Sequence, residues 1–268
     1  MKISVIVPTY KPKSYIFDCL KSFKQQTFDR ADFEIIVVLN GCNKPYCDII
    51  QKYIHENSMN NVILIQTDLP GVSLARNLAL DIAKGKYIAF VDDDDYVSNT
   101  YLEDLYNSAS LGITPICKVV AFEDCTGTVV ENYKLTRLFE SIKAYNIVPI
   151  MKARTYLSIP VAKIIDRNVI GKKRFNEKLK NGEDSLFMLE LTESIDWLRP
   201  SIDSAIYYRR LRQGSATRSK RSFKEKCICA SVLFWGYLKC LLKPWKYNPL
   251  FVMTRILALF VYFFRKPN

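Results

Sequence analysis

The sequence predicts an α/β fold with a mainly parallel central sheet and a C-terminal helical extension that is both basic and apolar. Three observations carry this. Short β-branched apolar runs alternate with helix-period segments from residue 3 to residue 91. The first and last of those runs stop abruptly at polar residues, at the strand ends where a parallel sheet collects its ligand-binding loops. The charge is also lopsided: residues 217–268 hold eleven Lys or Arg against one acid, Glu225, a net +10 of the chain's +12 that leaves only +2 for the first 216 residues.

The strands read in order as ISVIV at 3–7, FEIIVVL at 33–39, VILIQ at 62–66 and KYIAFV at 86–91. Each is a continuous apolar run of strand length, the pattern of a strand covered on both faces. After the first strand, Ile16, Leu20 and Phe23 recur at helical spacing. Before the fourth, Leu74, Leu78 and Ile82 do so after Gly71, with Gly85 placed to end that helix. The order β-α-β-α-β-α-β calls for a parallel sheet clothed in helices, with its ligand crevice beyond the carboxyl ends of the strands.

With 268 residues, 49% of them hydrophobic, the chain suits one large domain with an appendage better than two equal domains, and it is not a disordered composition. The uneven charge argues against a uniformly basic nucleic-acid binder. Eight cysteines are scattered, and the close pairs Cys42 with Cys47 and Cys227 with Cys229 lack the paired spacing of a zinc site, so a reducing cytosol is expected. The opening MKISVIVPTY runs straight into a strand, without the layout of a secretory signal.

Asp92, Asp93, Asp94 and Asp95 follow the fourth strand directly, and Pro8, Thr9 and Tyr10 end the first in the same place. Four adjacent carboxylates repel one another, and a bound Mg2+ or Mn2+ would relieve that repulsion while gathering oxygen ligands. Read alone, the run is equally a solvated acidic turn that caps the next helix. Glu183 and Asp184 form a second carboxylate pair, in a Gly-Glu-Asp turn before the apolar SLFMLEL. The helix dipole favours acids there without any chemistry.

Taken in order, VIVPTY, GVSLARNLAL at 71–80, IAFVDDDDY at 88–96, RFNEKLKNGEDSLF at 174–187 and YYRRLRQGSAT at 207–217 resemble the family 2 glycosyltransferases. These are inverting enzymes of the GT-A (Rossmann-like) fold that use nucleotide-sugar donors, bacterial surface-polysaccharide enzymes among them. The resemblance covers roughly residues 1–217. It implies a GT-A domain over 1–216, with a nucleotide-sugar-binding half at 1–96 and an acceptor half at 97–216. It implies that Pro8, Thr9 and Tyr10 contact base and ribose, and that Arg76 and Asn77 face the donor diphosphate or sugar. The family's Asp-x-Asp-Asp falls on Asp92, Asp94 and Asp95, which leaves Asp93 in the variable place. Asp92 then lies toward the ribose, while Asp94 leads and Asp95 completes the metal ligands. The general base falls on Asp184, beside Glu183. Arg209 and Arg212, before Gly214 and Ser215, resemble the mobile loop that closes over the diphosphate.

Two departures stand out. Many family members carry a His in that loop, whereas the single His of this chain is His55, read as a surface residue. An arginine fork suits phosphate oxygens in its place. After the second strand the family shows Asp-Asp-Gly or Asp-Asn-Gly, and this chain has Leu39, Asn40 and Gly41. Base recognition then passes to the Asn40 amide, or Leu39 simply packs.

In residues 217–268 basic residues cut the apolar stretches to twelve between Lys226 and Lys239, eight between Lys246 and Arg255, and nine between Arg255 and Arg265. All fall short of the roughly 18 to 20 that span a bilayer. Trp235, Trp245, Tyr247 and Tyr262 among Lys and Arg suit amphipathic helices lying in an anionic membrane interface. Packing on the body or on a second copy of the chain is the alternative. The resulting expectation is a Mn2+- or Mg2+-dependent transferase, peripheral on the cytoplasmic face of the membrane. It would move a sugar from a nucleoside diphosphate, UDP by resemblance, to a hydroxyl of a glycan or lipid-linked acceptor. A non-catalytic scaffold of the same fold has no need of two separated carboxylate clusters, and a nucleotidyltransferase would need a glycine-rich loop that is missing near the first strand.

Overall fold

The computed structural model describes residues 1–212 and 222–264. Strands β1 (Ile3–Thr9), β2 (Phe33–Asn40), β3 (Val62–Thr67) and β4 (Tyr87–Phe90) lie parallel in the order β3-β2-β1-β4, with Val5 beside both Ile35 and Ala89. Helices α1 (Tyr15–Lys24), α2 (Tyr46–Glu56) and α3 (Val72–Ile82) make the crossovers. Strands β1 and β2 are buried along their whole length, as continuous apolar runs demand. The third run differs from expectation: β3 is the edge of the sheet and is half-buried throughout.

Helix α1 buries Ile16, Leu20 and Phe23 as its spacing predicts. Helix α3 is rotated from the expected face. It buries Ala75, Ala79 and Leu80 together with Ser73, Arg76 and Asn77, and leaves Ile82 exposed. Two alanines let the helix lie close on β1 and β2, and Arg76 and Asn77 can enter because buried partners await them. Gly85 also serves differently. Helix α3 ends at Ala83, and a Cβ at Gly85 would stand 2.3 Å from the Ser4 nitrogen, so the glycine is required by its close approach to β1.

The chain continues through β5 (Tyr96–Val97), α4 (Tyr101–Ser108), β6 (Ile113–Ile116), β7 (Lys118–Glu123), α5 (Lys134–Ile142), β8 (Val148–Pro149), β9 (Ile165–Asp166), α6 (Arg167–Ile170), α7 (Glu183–Leu191), β10 (Trp197–Pro200) and β11 (Ile206–Leu211). Strand β9 adds antiparallel to β4 and completes a five-stranded sheet. Strand β11 pairs parallel with β7 and antiparallel with β5, which carries it past the turn that follows β4. A third small sheet is ordered β6-β10-β8.

Helices α8 (Phe223–Leu241) and α9 (Pro249–Phe264) form a hairpin. Ser222 and Glu225 start α8 with a capping box, each side chain bonding the other residue's amide. One face of the hairpin joins the core through Leu233, Tyr237, Cys240, Phe251, Val252 and Ile256. Glycines make the fit: a Cβ at Gly182 would sit 2.6 Å from Leu233, and one at Gly236 would sit 2.7 Å from Leu186. Tyr247, expected at an interface, is instead buried and donates to Glu193. The other face is apolar and exposed, through Ile228, Trp235, Leu242, Trp245, Leu250, Met253, Leu257, Phe260 and Val261. Among the described residues no helix is long and apolar enough to cross a membrane.

Candidate active site

Strand β1 is flanked by β2 on one side and β4 on the other, so successive connections leave it in opposite directions. The carboxyl ends of β1 and β4 diverge there and open a crevice. A cavity of about 610 Å³ fills it, lined by Pro8, Thr9, Tyr10, Tyr15, Asn40, Val72, Asp92, Asp93, Asp94, Asp95, Tyr133 and residues 209–212 of β11 and the segment just after it. Ten of the residues singled out in the sequence thus meet around one space: Pro8, Thr9, Tyr10, Asn40, the four aspartates, Arg209 and Arg212.

Each aspartate has a different environment. Asp92 accepts from Arg76 Nη2 at 3.0 Å. Asp93 accepts from the Thr9 hydroxyl, which ties the ends of β1 and β4 together. Burial, reinforced by Asp94 and Asp92, pushes the Asp93 carboxyl up to about 7 despite that hydrogen bond. Asp94 receives the fork of Arg212, at 2.6 Å from Nε and 2.5 Å from Nη2, and burial beside Asp92 raises its pKa. Asp95 is 2% exposed and accepts from the Tyr207 hydroxyl at 2.6 Å and the Arg210 amide at 2.7 Å. Burial raises its pKa strongly. Both Asp95 oxygens thus anchor β11 to the acidic turn, while the residue also lines the cavity.

Arg76 departs most from expectation. It does not line the cavity but lies behind it, 3% exposed, donating from Nη1 to Asp184 at 2.6 Å and from Nη2 to Asp92 at 3.0 Å, with its guanidinium 5.1 Å from the Phe175 ring. Burial opposes its charge, but Asp184, Asp92 and Glu183 outweigh that and hold it protonated. Asp184 sits in the first turn of α7, entered through Gly182 at φ +81°. Burial raises the Asp184 pKa against the pull of Arg76. Asn77 is also away from the cavity. Its amide donates to the Phe175 carbonyl and to Glu177, both at 2.9 Å, and accepts from the Phe175 amide at 2.8 Å, so it pins the segment leading to α7.

Asn40 lines the cavity while holding the fold. Its Nδ2 donates to the Thr9 carbonyl at 2.7 Å, and its Oδ1 accepts from the Gly71 amide at 2.8 Å. Leu39 is fully buried and packs. Arg209 donates to the Tyr133 hydroxyl at 2.8 Å, and the Arg212 guanidinium lies 4.5 Å from the Tyr15 ring. His55 is exposed on α2, as expected. Gly214 and Ser215 lie outside the described residues.

Sequence reasoning missed Tyr15, Tyr133, Tyr207 and Arg210. Arg210 donates from Nε to the Asp94 carbonyl and pairs with Asp18 and Asp124, so it straps β11 across α1 and the turn after β7. Strand alternation in YYRRLR signals that its arginines face two ways. Tyr133 carries no such signal, because only the folded chain brings it near.

Among the described residues no three His, Cys, Asp or Glu side chains are grouped to hold a metal by themselves. A hard divalent cation that keeps several waters needs only one or two carboxylates when a diphosphate supplies further oxygens. Asp94, held among repelling carboxylates on the cavity wall, fits that donor set.

The family description "Glycosyl transferase family 2" matches residues 4–170, more than half of the chain. Among curated proteins, the poly(ribitol-phosphate) beta-N-acetylglucosaminyltransferase TarS of Staphylococcus aureus is 30% identical over 236 residues, covering 84% of this chain and 39% of that protein. A poly(ribitol-phosphate) beta-glucosyltransferase of Bacillus spizizenii is 38% identical over 109 residues, 40% of this chain and 17% of that one. The chain thus spans two fifths or less of the length of these relatives. Among solved structures, S. aureus TarS 1–349 in complex with UDP-GlcNAc superposes with a TM-score of 0.73 at 24% identity, covering 97% of this chain and 72% of that one. The mannosyltransferase PcManGT from Pyrobaculum calidifontis, in complex with GDP-Man and Mn2+, does so at 0.62 and 15%, covering 97% and 69%.

Proposed function

From the chain's membership of glycosyl transferase family 2, with its GT-A fold, we propose that it is an inverting glycosyltransferase. It moves a sugar from a nucleoside-diphosphate sugar, UDP being the expected nucleotide, to a hydroxyl of a cell-surface glycan or lipid-linked acceptor. The observation that carries this is the buried bridge from Asp92 through Arg76 to Asp184. It ties a carboxylate on the wall of the large cavity to a carboxylate of raised pKa, which is what a donor site and a neighbouring general base require.

An acceptor hydroxyl is a poor nucleophile until its proton is taken. Asp184 takes that proton, and its pKa, raised by burial, brings the carboxylate closer to the basicity the step needs. Arg76 holds Asp184 in one orientation. The attacking oxygen displaces the nucleoside diphosphate in a single step, so one base suffices and the anomeric configuration inverts. Negative charge grows on the departing phosphate, and Arg209 and Arg212 at the cavity wall can receive it. A divalent cation held by Asp94 would supply further charge neutralisation at that oxygen. Thr9, Tyr10 and Asn40 border the end of the cavity expected to take ribose and base.

The names of the relatives support a cell-wall polymer as acceptor, the UDP-GlcNAc complex of TarS supports a UDP-sugar, and the Mn2+ complex of PcManGT supports a metal. A non-catalytic scaffold would bind donor without turnover. The test is a panel of nucleotide sugars incubated with the full chain and Mn2+, read by donor hydrolysis and by saturation-transfer NMR. Absence of both binding and hydrolysis across UDP, GDP and dTDP sugars would sink the proposal.

The hairpin's outer face supports a peripheral position on the inner face of the cell membrane. Exposed large apolar side chains with Trp235 and Trp245, flanked by Lys239 and Lys243, match the chemistry of an anionic interface. Replacing Leu257 and Phe260 together by Glu should cut binding to anionic vesicles by at least about tenfold per residue. Unchanged flotation of the double variant would refute the interfacial face.

A further inference from the structure

A separate cavity, sharing no lining residue with the one at the acidic turn, lies against the start of α7. It has a volume of about 160 Å³ and is enclosed by the first turn of α7 and the inner faces of α8 and α9. Asn181, Gly182 and Ser185 contribute to its wall, so it flanks Glu183 and Asp184 directly in the chain. Leu233, Leu259 and Ala230 make it apolar, while Arg255 and Lys226 make it positive, and no acidic residue lines it.

Arg255 is the informative group. It is 9% exposed and makes no ion pair with a carboxylate among the described residues. Its Nη1 donates to Ser158 Oγ at 2.5 Å and its Nη2 to the Arg154 carbonyl at 2.8 Å, while its Nε has no partner. Buried cations are ordinarily paired, because neutral oxygens return only part of the lost hydration. Burial accordingly pulls the Arg255 pKa down to about 10. The guanidinium also lies 4.7 Å from the Phe251 ring, so its charge meets a ring face and neutral oxygens but no carboxylate, and a positive, partly apolar cavity of this kind is complementary to an anion carried on a carbon skeleton.

We propose that this cavity is an acceptor subsite that receives a phosphate ester, so that a hydroxyl of the same acceptor lies within reach of Asp184. The proposal rests on Asp184 being the general base. Liquid water occupies about 30 Å³ per molecule, so the space admits roughly five heavy groups, enough for a phosphate and little more. The charge of Asp184 does not oppose it, because Arg76 already matches that carboxylate. The shared chemistry is an alkyl phosphate, which either a polyol-phosphate polymer or a lipid carrier presents.

The experiment titrates the full chain with glycerol 3-phosphate and, separately, with decyl phosphate below its micellar concentration, and measures UDP binding in the same samples. Two variants accompany the wild type. Lys226→Glu reverses charge at the wall, and Ala258→Trp fills the cavity from an exposed position, so neither disturbs the Arg255 anchor. Each variant should weaken phosphate-ester binding at least about tenfold, the equivalent of one lost charge-assisted contact, with UDP affinity and melting temperature unchanged. Tighter binding of decyl phosphate than of glycerol 3-phosphate supports the subsite with a lipid-borne source, and comparable binding supports it with a polyol source. The proposal is overturned if neither ester binds the wild type while UDP does, or if both variants bind the esters as the wild type does. Loss of UDP binding as well would instead bring down the transferase reading itself.

Discussion

Replacing Asp184 by Asn tests the base and its setting together. Asn keeps the size of the side chain and an oxygen that can still accept from Arg76 at the observed 2.6 Å, but it removes both the charge and the proton acceptor. The Arg76 side chain is 4% exposed, so it cannot recover the lost carboxylate by turning to water and is left with Asp92 as its bonded anion. Hydrogen bonds to charged groups contribute about 1.5–3 kcal/mol, and a neutral acceptor retains roughly half of that, so the expected loss of stability is about 0.8–1.5 kcal/mol. For a chain of this size that lowers the melting temperature by about 2–6 °C. Losing general-base assistance costs about 10²–10⁴-fold in rate. Thermal melts, UDP calorimetry and single-turnover sugar transfer should therefore show a modestly destabilised protein that binds UDP normally and transfers at no more than about a hundredth of the wild-type rate. Near-normal transfer by the folded variant would refute the assignment and turn attention to Glu183. A loss of rate that is matched by a loss of UDP binding would place Asp184 with the donor instead.

Arg76→Met removes the cation that holds the Asp184 pKa down while burial continues to raise it. The base works deprotonated, so the acid limb of the kcat–pH profile should move to higher pH, with Arg76→Lys restoring part of it; a limb that stays in place would detach Arg76 from the base. Asp93 has a folded pKa of about 7 against about 3.8 when unfolded, so the native state binds its proton more tightly. Stability from that group is present below the unfolded pKa and is lost as pH rises through 7, so Asp93→Asn should melt higher than wild type at pH 8, with the gain vanishing near pH 4. Equal gains at both pH values would contradict this. Chelation should weaken UDP binding by the wild type at least about tenfold, yet make no further difference to Asp94→Asn, because the ligand is already gone; chelator-insensitive wild type would remove the metal from Asp94.

Local pattern was enough to determine the alternation of strands and helices, the placing of the acidic run beyond β4, and the carboxylate pair at the head of α7. Each is a property of a few consecutive residues: apolar continuity marks a strand buried on both faces, and a polar stop marks its ligand-side end. The family motifs, which are also short, supplied which residues should matter. Tertiary structure decided what each does. Asp184 stands 108 residues from Arg76 and Tyr207 stands 112 from Asp95, separations set by sheet order and by the passage of β11 along β5, which no local period encodes. Spacing placed Leu74, Leu78 and Ile82 on the inner face of α3, but the sheet accepted the narrower Ala75 and Ala79 face because Arg76 and Asn77 found buried partners. The hairpin was legible as basic and apolar. Only its packing on α7 separates an inner face that closes a cavity from an outer face left to solvent, because a helix apolar on all sides does not specify which side meets the core.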